Sequence, residues 1–215
     1  MAKLKEVTQA SYDRLSPWYD LIGGWAEGKH VLAGLGLLQA CDGEQILEIG
    51  PGTGHGLLAL RRSIGGSGRA YGIDLSAGML GAARAKAGQA RMMGQIELCQ
   101  GDGSRLPFKA GCFDAVFMSF TLELFAAYEI PEVLEECHRV LRRAGRICIV
   151  ALSKKRGWMV RLYEAAHAKL PNVVDCRPIY VRQAIEGAGF RVLEARETSM
   201  WGLPIETILA IKESP

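Results

Sequence analysis

The chain is expected to fold as a doubly wound α/β domain. Three observations predict this: short apolar runs alternate with helical patterns, several runs are apolar at nearly every position, and the last two runs are joined by a tight turn. Strands covered on both faces read as continuous apolar runs, which favours a parallel sheet with helices on either side. A parallel return needs a crossover of a dozen or more residues, so the tight final connection makes the last strand antiparallel. The expectation is a seven-stranded, mostly parallel sheet with an antiparallel last strand, helices on both faces and an N-terminal helical cap. At 215 residues the chain is one domain.

The elements follow in order. Residues Gln9–Ala40 read as two short helices broken by Pro17 and Gly23-Gly24. Five strands are expected at Gln45–Ile49, Arg69–Ile73, Gln95–Gln100, Cys112–Met118 and Arg146–Leu152. Between them Gly54–Ser63, Ala77–Ala87 and Glu129–Arg142 carry helical spacing. In the third helix Val133, Leu134, Val140 and Leu141 share one side, while Glu132, Glu135 and Glu136 lie on the other. Pro131 stands in its first turn, where a missing N–H costs little, and Gly145 follows its basic end. After Gly187 come two more strands, Phe190–Ala195 and Ile205–Lys212, with Leu203-Pro204 in the turn between them.

Composition narrows the field. A net charge of +3 is too small for the basic footprint of nucleic-acid binding. No uncharged apolar run is long enough for a transmembrane helix, and Met1–Glu6 has none of the apolar core of a secretory signal. The six cysteines show no CxxC spacing, and most sit in apolar segments such as Ile147–Val150. They read as buried reduced thiols, which points to the cytoplasm. Glycine stands out: 26 in 215 residues is nearly twice the usual share of about 7%.

Part of that excess is one loop. Glu48-Ile49-Gly50-Pro51-Gly52-Thr53-Gly54-His55-Gly56 follows a strand and opens a helix, where glycines allow a sharp turn and close approach of a ligand to the main chain. The dinucleotide fingerprint needs Gly at 55 or 57, but His55 and Leu57 stand there, and no GK[ST] follows for a P-loop. Two acids occupy neighbouring strand ends: Asp74 in Gly72-Ile73-Asp74 and Asp102 in Gln100-Gly101-Asp102-Gly103. A carboxylate at the first position can accept both hydroxyl protons of a ribose. Asp102 can accept from an exocyclic amine such as that of adenine. Each acid alone could equally be a helix cap or turn former. Together the three clusters occupy the carboxyl ends of adjacent strands, where open α/β sheets bind ligands.

In these segments the sequence resembles the class I S-adenosylmethionine-dependent methyltransferases, in the broad group that includes the menaquinone and ubiquinone C-methyltransferases. Glu48–Gly54 resembles the first family motif, and Gly72–Ser76 with Met79-Leu80 the second. Gly101–Gly103 through Leu106-Pro107-Phe108 to Phe113–Val116 resembles the third and fourth, and His138–Arg146 the turn into strand five, with Ala144 where glycine is usual. Upstream, Tyr12-Asp13 and Pro17–Leu21 are similar to the N-terminal segment of the quinone enzymes. The resemblance implies a Rossmann-like fold and S-adenosylmethionine as cofactor. It implies that Gly50, Gly52 and Gly54 admit the methionine part, with Glu48 near its ammonium and Tyr19 near its carboxylate. Asp74 would lie on the ribose, Asp102 and Gly103 at the adenine, and Ser119 beside the sulfonium, while Leu75 and Met79 complete the cofactor set. It divides the chain into a cap (1–40), a cofactor-binding core (41–152), a substrate lid (153–177) and a C-terminal helix with a strand pair (178–215).

The implied reaction is in-line methyl transfer to a small molecule or lipid, quinone-like in the resemblance. A base is needed only if the nucleophile must lose a proton. His138 and His55 read as packing, surface or loop residues; His30 and His167 lie in segments that would cover the site, and none is assigned a catalytic role. No metal is expected. Lys154–Tyr163, a basic cluster followed by Trp158, Met159, Leu162 and Tyr163, could cover a lipophilic ring or rest on a membrane surface, or be an ordinary amphipathic helix. Ala151 stands where the quinone enzymes usually carry Glu, and the lid is shorter than theirs. Met118-Ser119-Phe120-Thr121 replaces the Asn/Asp-Pro-Pro-Tyr motif of amino-directed nucleic-acid methyltransferases, which disfavours a nucleic-acid substrate. Two alternatives stand beside the enzyme: a cofactor-binding regulatory protein without chemistry, and a nicotinamide dehydrogenase, since Asp74 also suits that ribose.

Overall fold

The computed structural model describes residues 24–154, Tyr163 and residues 176–213. Tyr19, the first expected helix, residues 155–162 of the expected lid and His167 lie outside these residues. The described elements are α1 (Gly24–Leu38), β1 (Gln45–Ile49), α2 (His55–Ser63), β2 (Arg69–Asp74), α3 (Ala77–Gln89), β3 (Ile96–Gln100), β4 (Phe113–Ser119), α4 (Ile130–Val140), β5 (Leu141–Leu152), α5 (Val181–Gly187), β6 (Phe190–Met200) and β7 (Leu203–Lys212).

Seven strands form one sheet in the order β3-β2-β1-β4-β5-β7-β6. Neighbours from β3 to β5 pair parallel, and β7 runs antiparallel to both β5 and β6. The chain moves outward from β1 through β2 to β3, then returns to place β4 on the other side of β1. That reversal opens a crevice at the carboxyl ends of β1 and β4.

Alternation along the strands builds two cores. Ile46, Ala115, Phe117, Cys148 and Val150 face the layer that holds Leu37, Leu38, Leu57 and Leu60 of α1 and α2. Leu47, Ile49, Val116, Met118, Ile147 and Ile149 face Val133, Leu134, Cys137, Val181 and Ile185 of α4 and α5. Both faces of the central strands are therefore buried, as their apolar runs predict.

Helix α1 runs against the strand direction. Near the start of the paired part of β5, Arg146 donates from Nε to the Leu38 carbonyl (2.7 Å) and from Nη2 to that of Gln39 (2.9 Å), and it forms a bidentate pair with Glu44 at 2.8 Å. One turn back, Gly34 passes so close to the sheet that a Cβ would stand 2.5 Å from Val150.

Several boundaries differ from expectation. The helix expected at Glu129–Arg142 ends at Val140, and β5 begins at Leu141 rather than Arg146. Phe113 pairs with Leu141 whereas Ala115 pairs with Arg146; the additional residues bulge, with Ala144 at φ 56°. Strand β6 continues past Ala195 to Met200, and β7 starts at Leu203. Trp201 (φ 51°) and Gly202 (φ 80°) form the two-residue connection, the positive-φ pair favoured by hairpin twist.

Candidate functional site

The glycine loop is fixed to its neighbours by main-chain and side-chain hydrogen bonds. Gly50 N–H donates to the Ile73 carbonyl (2.8 Å) and Gly54 N–H to that of Pro51 (2.8 Å). Lys86 Nζ donates to Thr53 Oγ1 and to His55 Nε2, each at 2.8 Å, so His55 belongs to the loop's scaffold.

The three expected glycines are needed for different reasons, although all have positive φ (68°, 53° and 89°). A Cβ at Gly50 would stand 2.5 Å from both Oγ1 and Cγ2 of Thr121, and one at Gly54 would stand 3.0 Å from Ala83 Cβ. A Cβ at Gly52 would meet nothing within 4 Å. Protein therefore crowds the first and third glycines, and only the middle one faces open space.

Glu48 is buried at 1% exposure, and its Oε2 has no hydrogen-bond partner among the described residues. Burial, reinforced by the nearby charge of Asp74, pushes its carboxyl up to about 8. Gly56 lies against it, since a Cβ there would come within 2.3 Å of Oε1. A buried acceptor of this kind suits a cationic donor.

Asp74 joins the loop to β2: Oδ2 accepts from Gly52 N–H (3.2 Å) and Oδ1 from Ser76 N–H (2.9 Å). Ser76 then caps α3, accepting from Met79 N–H at 3.1 Å. The Asp74 carbonyl accepts from Gly101 N–H (3.0 Å), and the Gln100 amide donates to the Leu75 carbonyl (3.1 Å). Three strand ends are thereby held in one register.

Asp102 shapes its own turn, with Oδ1 accepting from the N–H and hydroxyl of Ser104 at 2.9 and 2.8 Å. Gly103 is buried where a Cβ would stand 2.9 Å from Ile49 and 3.0 Å from Phe125. Leu75 and Ser119 are half-buried, while Met79 is packed to 1% exposure. The Ser119 carbonyl accepts from Thr121 Oγ1 at 2.9 Å.

Sequence reasoning missed Thr121, whose hydroxyl and methyl force the glycine at position 50. It also missed Glu123, a buried carboxylate that accepts from Leu152 N–H at 3.1 Å and joins β4's exit to the end of β5. A polar residue inside the otherwise apolar run Leu122–Phe125 was the available signal for Glu123.

These features define an α/β domain with a glycine loop and three carboxylates gathered at the carboxyl ends of β1, β2 and β3. A family model described as a methyltransferase domain matches residues 46–145. The nocamycin O-methyltransferase of Saccharothrix syringae is 33% identical over 207 residues, covering 86% of this chain and 72% of that protein. The 2-phytyl-1,4-naphtoquinone methyltransferase of a Nostoc species is 29% identical over 160 residues, covering 73% and 69%. A demethylmenaquinone methyltransferase of Lactococcus lactis is 37% identical over 159 residues, covering 74% and 57%. Among solved structures, a SAM-dependent methyltransferase of Aquifex aeolicus superposes with TM-score 0.65 at 21% identity, covering 85% of this chain and 89% of that one. The chain belongs to the S-adenosylmethionine-dependent methyltransferases.

Its cofactor is S-adenosylmethionine, and the described residues fit it. The molecule carries an ammonium, a ribose diol and an adenine amine as donors. The chain presents three carboxylates in a row, an orphaned buried oxygen on Glu48 and open space over Gly52. No helix among the described residues is long and apolar enough to cross a membrane.

Proposed function

We propose that the enzyme methylates a hydroxylated ring compound of the quinol type, and that the cofactor is bound by Glu48, Gly50, Gly52, Gly54, Asp74, Leu75, Met79, Asp102, Gly103 and Ser119, with Tyr19 serving its methionine carboxylate. The observation that carries the cofactor assignment is the orphaned Glu48 carboxylate behind the open Gly52 loop. Relatives named for naphthoquinone and menaquinone support the acceptor class. So does the apolar surround at the ends of β4 to β7, where Phe120, Leu152, Met200 and Leu203 are buried together.

The cofactor supplies a methyl group on a sulfonium whose C–S electron pair departs with sulfur. The chain's own residues bind and orient. Glu48 meets the ammonium, Asp74 meets the diol while holding Gly52, and the turn at Asp102–Gly103 receives the adenine. A quinone ring is electron-poor, so the competent acceptor is its reduced form, whose hydroxyl oxygen or adjacent ring carbon is nucleophilic. Alignment and exclusion of water then account for most of the rate.

The chain segments 1–40, 41–152, 153–177 and 178–215 act as cap, cofactor core, lid and C-terminal support. The enzyme works in the cytoplasm, a reading supported by six free cysteines, of which only Cys137 and Cys148 are buried and Cys41 is exposed, against the expectation of buried thiols. It touches membrane lipid only peripherally, through 154–163. Exposed Tyr180, with Lys154 Nζ 5.8 Å from its ring centre, would extend that surface.

Incubation with methyl-labelled S-adenosylmethionine and a 2-alkyl-1,4-naphthoquinol tests the reading. A labelled, mass-shifted product supports it, and NMR of that product separates O- from C-methylation. No label in the naphthoquinol, with label entering another extract component, overturns the acceptor class.

A further inference from the structure

His30 is a histidine that the cofactor site does not use. It lies on α1 at 4% exposure, and its Nδ1 is 3.1 Å from Thr198 Oγ1 on β6. Its Nε2 is buried without a hydrogen-bond partner among the described residues. Buried polar atoms are rarely left unpaired.

Its height in the fold is informative. Leu38 and Gln39 are held by Arg146 near the lower part of β5, and Gly34 packs on Val150. One turn further back, the His30 ring meets Phe120 edge-on, with centroids 6.2 Å apart. Phe120 directly follows Ser119, the last residue of β4, and has φ 51°. A bulky residue adopts that conformation only where the surroundings impose it. His30 therefore stands at the level of the strand ends, beside the β4 exit. The other described histidines lie elsewhere: His55 is in the loop scaffold, and His138 packs on Phe190 at 5.3 Å.

We propose that His30 Nε2 accepts the proton of the methyl acceptor's hydroxyl, with Thr198 as its positioning residue. This rests on the methyltransferase reading with a hydroxylated acceptor. In the sense of this contact that the proposal requires, Thr198 Oγ1 accepts from Nδ1–H and a lone pair is left on Nε2. The substrate O–H bond breaks as the Nε2–H bond forms. The freed oxygen pair, or the adjacent ring carbon it activates, makes the new bond to the methyl. The imidazolium then returns its proton to solvent. Burial and the neighbouring Lys29 hold the His30 pKa below its usual value, which keeps the ring neutral beforehand and favours that return.

The test compares the parent with His30→Gln and Thr198→Val on a 2-alkyl-1,4-naphthoquinol or, if that is not the acceptor, on the labelled product formed in extract. Removing a general base lowers kcat about 10²–10⁴-fold, so His30→Gln should lose at least a hundredfold in kcat with KM and S-adenosylhomocysteine affinity nearly unchanged. Thr198→Val should show a smaller loss of the same kind. A second readout needs no turnover: in ¹⁵N NMR of the parent, the His30 ring should be the Nδ1–H tautomer, and Nε2 should shift when the acceptor joins the S-adenosylhomocysteine complex. Full kcat in His30→Gln, or an Nε2 resonance indifferent to the acceptor, overturns the proposal. A parent that labels nothing instead removes the methyltransferase reading, and this proposal with it.

Discussion

The Glu48 carboxylate lies directly against Gly56, where a Cβ would stand 2.3 Å from Oε1. Replacing a glycine by alanine inside a helix ordinarily stabilises by about 0.5–1 kcal/mol. Here the contact reverses the sign. Gly56→Ala should destabilise by about 1–3 kcal/mol, as overpacking does, and weaken cofactor binding. Thermal melts of Gly56→Ala alone and combined with Glu48→Ala check this: the penalty should shrink in the double variant.

The same carboxylate makes stability depend on pH. Its folded pKa is raised from 4.5 to about 8, chiefly by burial and secondarily by Asp74. Both states hold the proton below the lower value; between the two, only the unfolded chain gives it up. Stability of the cofactor-free protein should therefore fall as pH rises from about 4.5 to 8, with a limiting slope of about 1.4 kcal/mol per pH unit, and then level off. Denaturant titrations of the parent against Glu48→Gln should show this slope in the parent alone.

The crowded and open glycines should separate stability from binding. Gly50→Ala combines a left-handed backbone with a clash on Thr121 and should cost roughly 2–5 kcal/mol. Gly52→Ala carries only the conformational cost of about 1–2 kcal/mol, but its new methyl enters the open space. Melting should report the first substitution more strongly, and S-adenosylhomocysteine titration the second.

Asp74→Asn tests the acid that holds the loop and is proposed to meet the diol. Charge-assisted hydrogen bonds are worth roughly 1.5–3 kcal/mol each, so affinity for S-adenosylhomocysteine should drop about ten- to a hundredfold by calorimetry. Ala144→Gly should act oppositely on stability. Relief of its φ of 56° should raise the unfolding free energy by up to about 1 kcal/mol.

Much of this arrangement is legible in the sequence where burial is two-sided. Strand β4 and the paired part of β5 announce themselves by nearly continuous apolar runs, and the short final connection announces the reversal at β7, although the turn falls at Trp201-Gly202 and the Leu203-Pro204 pair expected in it opens β7 instead. Edge strand β6 is harder, because Glu194, Arg196, Glu197 and Thr198 are exposed and read as loop beyond Ala195. The early start of β5 is hidden because Leu141 fits the helical pattern of α4, and Gly145, which lies in the bulge beside Ala144, reads as a helix stop. The places of Glu48, Asp74 and Asp102 at or beside the ends of β1, β2 and β3 were readable from motif spacing. The reason for Gly50 was not, since Thr121 lies 71 residues away. Nor was the environment of His30, which depends on a contact with Thr198 at a separation of 168 residues.

The central claim is that Glu48 meets the cofactor's ammonium. Titration calorimetry of S-adenosylhomocysteine at pH 7, repeated in buffers of different ionisation enthalpy, tests it most directly. The parent should bind one equivalent and release close to one proton as Glu48 ionises against the cation, whereas Glu48→Gln should bind more weakly and release none. No saturable binding by the parent, or equal proton release by the two proteins, would contradict the account.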